Sequence, residues 1–322
     1  MSIAEWNRPL WNNVLERRRR GAMPHALLLA GPAGLGKRAF GAALAALLLC
    51  ENPGDSACGS CRSCLLVAAG SHPDRIELNL ELRDDGKTLR TEIVVEQIRV
   101  LSQRLSMTAQ FGGHQVALID PADLMNTAAA NALLKTLEEP GAGTVMILVS
   151  DQFARLPATI RSRCQRLDFG LPNAAEAMAW LKRQGVDGAA QALEAAAGNP
   201  GLALELARGG GLALRTEVAS DLANLWARKA VPAEIANRWA KSEAERRCWF
   251  AAQLAQAEAA AQARAARGPL ALTAISDFNK LAQWFREAGR VREQLRTPVR
   301  SELLLLELLL AWRALAPAAR RA

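Results

Sequence analysis

The chain has no tyrosine; its aromatic side chains are eight Trp and seven Phe among 322 residues. No uninterrupted apolar run reaches the roughly 18 residues that a membrane span needs. The nearest, Leu303 to Trp312, is broken by Glu307 and reads as a buried helix. A secretory signal pattern is missing too: Met1 to Arg20 is polar and basic, with no hydrophobic run near its start. The cytoplasm is the expected compartment. No internal repeat is visible. What remains is a chain that is 50% hydrophobic, long enough for two or three domains with ample apolar material for their cores.

Charge is unevenly spread. The net charge is +8, and residues 210–322 hold 18 Lys+Arg against 11 Asp+Glu, whereas residues 1–209 are nearly balanced. A basic C-terminal third suits either an acidic partner such as nucleic acid or a solvated, arginine-rich helical surface. The run Arg17-Arg18-Arg19-Arg20 reads as a solvated helix end in preference to a DNA contact.

The stretch Ala26-Leu27-Leu28-Leu29-Ala30-Gly31-Pro32-Ala33-Gly34-Leu35-Gly36-Lys37-Arg38 is an apolar run, a glycine-rich loop and a lysine, followed by an alanine- and leucine-rich helix. That is the layout of a phosphate-binding strand, loop and helix, G-x-x-x-x-G-K-[ST]. Gly31, Gly34 and Gly36 let backbone N–H groups turn toward phosphate, the helix N-terminus adds partial positive charge, and Lys37 adds a full one. Two things are lacking here. The hydroxyl that should follow the lysine to hold Mg²⁺ is replaced by Arg38. Val116 to Asp120 reads as a buried strand ending in a metal-supporting carboxylate, but the water-polarising Glu expected after it is Pro121.

Four of the six cysteines, Cys50, Cys58, Cys61 and Cys64, form C-x7-C-x2-C-x2-C. In a cytosolic chain this clustering points to metal in preference to disulfides. Four thiolates suit tetrahedral Zn²⁺ in a closed structural site. The C-x2-C-x2-C portion also fits an iron–sulfur site, although no proline follows the last cysteine and nothing else implies electron transfer. Cys164 and Cys248 stand alone and are expected in the core. The cysteine cluster has no recognition helix rich in base-reading side chains beside it, which weighs against a zinc protein that binds DNA unaided.

Strands are expected at 26–30, 75–82, 116–120, 144–150 and 165–169, alternating with helices over about 37–50, 92–107 and 126–139 and a short helix or turn at 156–164. Such alternation implies a parallel sheet covered on both faces, with ligands at the C-terminal strand ends. A turn is expected at Arg83 to Lys87. Beyond Asp168 the pattern is helical, with helices at 173–184, 188–197 and 202–208, the turn Gly198-Asn199-Pro200-Gly201, and Gly209-Gly210-Gly211 as the clearest linker. The alanine-rich tract 251–266 reads as a closely packed helix, and Gly268-Pro269 as a break.

Several stretches together resemble the AAA+ clamp-loader ATPases of replication. They are Pro24 to Leu29 before the loop, the four-cysteine insert, Ser71-His72-Pro73-Asp74, the run Asn131 to Pro140, and Thr159-Ile160-Arg161-Ser162-Arg163-Cys164. They cover the first half of the chain in order. The resemblance implies an α/β AAA+ phosphate-loop domain over residues 1–167 with a zinc module at about 50–64. A small helical lid at 168–209 and an all-α collar for oligomerisation at 210–322 would follow. It also implies that Arg163, in the Ser-Arg-Cys triplet, reaches across a subunit boundary to ATP held by a neighbour; the plainer reading of an arginine here, a surface or strand-edge salt bridge, suits Arg161 or Arg166. The Gly198 to Gly201 turn resembles a second sensor whose arginine is here Gly201. Implied partners are the clamp-loader ATPase (gamma/tau) subunits and a delta subunit of DNA polymerase III, and through them the sliding clamp and primer-template DNA. With Arg38, Pro121 and Gly201 departing from the active pattern, the expectation is a subunit without ATP turnover of its own, Gly31, Gly34, Gly36, Lys37 and Asp120 being a vestigial or weak nucleotide site. The alternative is an active AAA+ ATPase hydrolysing ATP at this loop, with Asp123 replacing the missing carboxylate.

Overall fold

Apolar runs bounded by glycine or proline become strands buried on both faces. The computed structural model describes residues 3–82, 86, 88–272, 278–295, 297 and 299–317. Among these, five strands form one sheet: β1 Ala26–Ala30, β2 Arg75–Leu78, β3 Gln115–Ile119, β4 Thr144–Ser150 and β5 Gln165–Asp168. Every pairing is parallel, in the order β2-β3-β4-β1-β5. Strand β2 is shorter than the alternation 75–82 suggests. The Asn79 carbonyl accepts a hydrogen bond from Gln97 Nε2 (3.0 Å), so the chain leaves the ladder there. Leu82 instead bridges antiparallel to Leu89. The expected turn at Arg83 to Lys87 lies, apart from Gly86, outside the described residues.

The helices of the first half are α1 Arg8–Arg19, α2 Lys37–Leu49, α3 Arg62–Ala68, α4 Val95–Leu105, α5 Thr127–Glu138 and α6 Ala158–Arg161. Strand residues alternate between two cores, as a period of two requires. Leu28, Ala117, Ile119, Met146 and Leu148 face α4 and α5 through Ile98, Leu101, Leu133 and Leu137. Leu27, Leu29, Val116, Val145, Ile147 and Val149 face α1 and α2 through Trp11, Leu15, Phe40, Leu44 and Leu47. Close approach of α2 to the sheet depends on Gly41, where a Cβ would lie 3.1 Å from Leu118 Cδ1.

The remaining helices are α7 Ala174–Arg183, α8 Ala189–Ala195, α9 Pro200–Arg208, α10 Gly211–Trp226, α11 Pro232–Lys241, α12 Ala244–Ala263, α13 Phe278–Gln294 and α14 Ser301–Leu315. The chain divides into two compact units, Met1–Gly185 with Gly198–Leu202, and Val186–Ala197 with Ala203–Ala322. The triple glycine is not a loose tether. Helix α10 begins at Gly211, where a Cβ would stand 2.5 Å from Leu206 Cδ2, and Gly210 takes φ 71°. These glycines serve close packing and a left-handed turn. In the second unit, indole N–H groups find partners inside the core: Trp239 donates to Asp221 Oδ2 (2.8 Å), Trp284 to the Leu308 carbonyl (2.9 Å) and Trp312 to the Leu222 carbonyl (3.0 Å). Buried indoles need such partners, and with no tyrosine available they carry the aromatic packing. Within α12, Ala251, Leu254 and Ala255 are fully buried, as a closely packed helix requires. Helix α14 is buried along one face only; Leu305, Leu308, Leu309 and Trp312 face inward while Leu303 and Leu310 are exposed. No described helix is long and apolar enough to cross a membrane.

Candidate functional site

Strand β1 ends at Ala30 and the loop turns on three glycines, Gly31, Gly34 and Gly36, at φ 148°, 83° and 88°. L-residues avoid this region. The space around them is also taken. A Cβ on Gly31 would meet the Phe169 carbonyl at 2.3 Å, and one on Gly34 would meet Asn199 Oδ1 at 2.8 Å. The turn Gly198 to Leu202 lies on the loop: Asn199 Nδ2 donates to the Ala33 carbonyl (2.7 Å), and Asn199 Oδ1 accepts from the Leu202 N–H (3.1 Å). Gly201 is tighter still. A Cβ there would be 2.1 Å from the Gly34 carbonyl oxygen and 2.6 Å from Gly34 Cα. The place where the resemblance expects an arginine has no room for any side chain.

Two cations and three carboxylates meet at the C-terminal ends of the strands, Asp120 just past β3 and Asp151 just past β4. Lys37 Nζ is bound by the Gly31 and Pro32 carbonyls (2.6 Å each) and pairs with Asp151 Oδ1 (2.6 Å); its side chain is 1% exposed. Arg38 spans both carboxylates, Nε to Asp120 Oδ2 at 2.8 Å and Nη2 to Asp151 Oδ2 at 3.2 Å. Asp123 is buried, and its Oδ1 accepts from the Asp151 N–H (3.0 Å). Burial lowers the Lys37 pKa, with Asp151 opposing the shift. Burial also opposes the Arg38 cation, but Asp151 and Asp120 outweigh it and hold the guanidinium above its usual value. Asp120 is raised by burial, with Arg38 pulling against the shift.

Arg163 follows α6 and lies at the surface, its side chain 36% exposed. Its Nη2 pairs with Glu138 Oε1 at 2.6 Å, and its Nη1 donates to the Thr159 carbonyl at 2.9 Å. Arg166 pairs with Asp168 and lies over the Phe153 ring, 3.9 Å from the centroid, with Arg161 near the same ring. Cys164 and Cys248 are buried as expected, and burial pushes their thiols up to about 11 and about 12.

The Sγ atoms of Cys50, Cys58, Cys61 and Cys64 all lie within 4.8 Å of one another, so this cluster can hold a metal ion. Backbone N–H groups converge on the sulfurs: Cys58 N on Cys50 Sγ (3.3 Å), Cys61 N on Cys58 Sγ (3.3 Å) and Cys64 N on Cys61 Sγ (3.4 Å). Such donors favour thiolates. The N–H groups of Ser60 and Cys61 bring the Cys58 thiol down to about 6, and that of Cys64 lowers Cys61, whereas burial lifts Cys64 to about 12. Part of the arginine run has a local task. Arg18 donates to the Gly54 and Pro53 carbonyls (3.4 and 3.3 Å), Arg19 pairs with Asp55, and Trp11 Nε1 donates to the Asp55 carbonyl (2.9 Å). Helix α1 thereby clamps the loop between the first two cysteines.

The structure brings Lys37 and Asp120 into one charged cluster beside the loop of Gly31, Gly34 and Gly36, and the four cysteines into another cluster, with Arg163 elsewhere on the surface. Asp151 is not among the residues singled out from sequence, although it is the first residue beyond a buried strand; Asn199 and Glu138 lie in stretches that are singled out there, but their partners Ala33 and Arg163 are distant in the chain and had no signal.

A glycine loop leaving β1, with carboxylates just past β3 and β4 of an all-parallel sheet, defines an α/β domain of the phosphate-loop class. The family model described as DNA polymerase III, delta subunit matches residues 6–173. Over 193 residues the chain is 46% identical to DNA polymerase III subunit delta' of Pseudomonas aeruginosa, covering 60% of this chain and 56% of that one. It is 33% identical to DNA polymerase III subunit delta' of Yersinia pestis over 331 positions, covering 97% and 96%. DNA polymerase III subunit tau of Bacillus subtilis matches at 33% identity over 161 residues, 50% of this chain and 26% of that one. The matched stretch spans about three fifths of the length of the first curated relatives. The chain belongs to the family of DNA polymerase III delta' subunits.

Proposed function

We propose that this chain is a clamp-loader subunit that does not turn over ATP and completes a neighbour's site with Arg163. The observation that carries the first half is Arg38, whose guanidinium sits on both Asp120 and Asp151. A magnesium site here needs oxygen ligands with uncompensated negative charge. The pocket offers carboxylates already paired with a cation and no hydroxyl beside Lys37. Pro121 brings no carboxylate to polarise water, and Gly201 leaves no room for a sensing arginine. Lys37, held by loop carbonyls and Asp151, is not free to meet a phosphate without breaking that set.

Support for the second half is chemical. Arg163 is a permanent, forked cation just past a short helix at the surface, part exposed and held by exposed partners. Supplied in trans, such a group stabilises transition-state charge and ties hydrolysis to assembly. The relatives are named as DNA polymerase III subunits delta' and tau; by the family resemblance, the neighbours of this chain would be gamma/tau ATPase subunits and a delta subunit, with the sliding clamp and primer-template DNA reached through the complex, in the cytoplasm. Residues 168–209 would act as a lid and 210–322 as a collar holding the subunits together. The four cysteines would hold a structural Zn²⁺, which supplies a tetrahedral cross-link and leaves no open position for water.

The test is Arg163→Ala in the reconstituted complex. Turnover at the site it serves should fall about 10²-fold or more, with assembly intact; an unchanged DNA-stimulated rate overturns the proposal. The alternative, turnover at its own loop, keeps Lys37 and Asp120 but finds Asp123 committed to the Asp151 N–H. Lys37-dependent hydrolysis by the isolated chain, near the ~10 s⁻¹ median of working enzymes, would replace the proposal with that reading.

A further inference from the structure

Resting on the reading of Arg163 as a trans-acting group, we infer that Glu138 is a positioning residue that holds this arginine in cis and competes with the neighbour's phosphate for it. Glu138 is the last residue of α5, Arg163 follows α6, and their 2.6 Å contact joins Nη2 to Oε1. Local stability does not account for a carboxylate at this position. The C-terminal end of a helix carries partial negative charge and disfavours anions, yet Glu138 and Glu139 both stand there, with Lys135 the basic residue of that last turn. The Arg163 guanidinium is the counter-charge that offsets the cost. Both side chains are part exposed, 36% for Arg163 and 50% for Glu138, so the pair is weak enough to exchange.

An arginine that forks onto a phosphate uses its terminal donors, and in Arg163 both terminal nitrogens, Nη1 and Nη2, are engaged on its own chain. The Thr159 carbonyl binds Nη1 and can keep doing so, preserving the side chain's direction. Nη2, bound to Glu138, is the donor to be released, which makes Glu138 a competitor that a phosphate, carrying more charge than one carboxylate, displaces. Free in solution, the arginine stays folded back on its own surface. Against a neighbour loaded with nucleotide it changes partner. Glu138 thereby weakens docking against any subunit without a phosphate to offer.

The experiment titrates the full chain into a fixed amount of its clamp-loader partners with ATP and primed DNA, reading hydrolysis. Glu138→Gln should lower the concentration giving half-maximal turnover by about two- to fivefold, the range set by exposed ion pairs, and leave the maximal rate unchanged. Glu138→Asp, which keeps the charge, should stay near the wild type. The gain should shrink at high salt, since exposed pairs are screened, and vanish in an Arg163→Ala background. A purely structural role moves the other way, because a destabilised chain needs a higher concentration. If Arg163→Ala abolishes the stimulated rate but Glu138→Gln leaves half-saturation unchanged or raises it, the competitor role is overturned and the trans arginine stands. If Arg163→Ala leaves turnover unchanged, both are overturned.

Discussion

At the scale of single residues, two of the three departures from the active pattern act directly on the glycine loop and its charges. Arg38 is a cation where the motif calls for a hydroxyl, and Gly201 has no side chain where the family resemblance calls for an arginine. Each can be probed without a partner. Gly201→Ala puts a methyl about where the Gly34 carbonyl stands, and overpacking of this kind costs about 1–3 kcal/mol, measurable by urea denaturation of the whole chain. Arg38→Ala has a pH signature. The Asp120 pKa is raised by burial while Arg38 pulls it back. A carboxyl whose folded pKa lies above its unfolded value contributes stability at low pH that is lost as pH rises through the folded pKa. Removing Arg38 pushes the Asp120 pKa higher and enlarges that loss. The stability gap between wild type and Arg38→Ala should therefore be small near pH 3 and widest at neutral pH, as urea midpoints across that range will record.

At the scale of elements, charged side chains tie helices to one another. In the second unit Glu217 of α10 receives Arg247 of α12 and Arg238 of α11 (3.0 and 3.1 Å), and Arg238 also pairs with Asp221. The hydrogen bond from Arg247 and, after it, the charges of Arg247 and Arg238 outweigh burial and hold Glu217 below its usual pKa. The sign here is opposite to that of Asp120. A depressed carboxyl contributes stability above its unfolded pKa, near 4.3, and loses it as pH falls through the folded value. Glu217→Gln should therefore flatten the acid limb of the stability profile below about pH 4.5, leaving the curve above it parallel to wild type. Retention of the full slope would mean that other carboxylates carry it. In the first unit α1 does comparable work, its arginines and Trp11 gripping the chain between Cys50 and Cys58.

At the scale of the whole molecule, the two compact units rest on different means. The first has a sheet with two apolar faces and a cysteine cluster at its margin; the second has helices locked by buried indoles. Elemental analysis should find a single zinc ion per chain. Stripping it with a chelator, or replacing Cys61 by Ser, should lower the melting temperature of the first unit by several degrees, as expected for a loss of about 1–3 kcal/mol in a domain of this size, while most helical signal from the second unit persists. Coincident loss of both would show that the cluster supports the entire chain.

Much of this was legible in the residues themselves. Apolar strands ending in glycine or aspartate, the spacing of four cysteines, and the departures at Arg38, Pro121 and Gly201 are local patterns, and local patterns follow from backbone period and chain geometry. What only the tertiary structure decided are the pairings between distant parts of the chain. Arg38 meets Asp151 across 113 positions, Asn199 meets Ala33 across 166, and the arginine run grips a loop some 36 residues on. The triple glycine that reads as a tether is a packed turn because Leu206 happens to lie against it. Sequence states which charges and small residues exist; the path of the chain decides which of them share a space, and no period of two or 3.6 encodes that path.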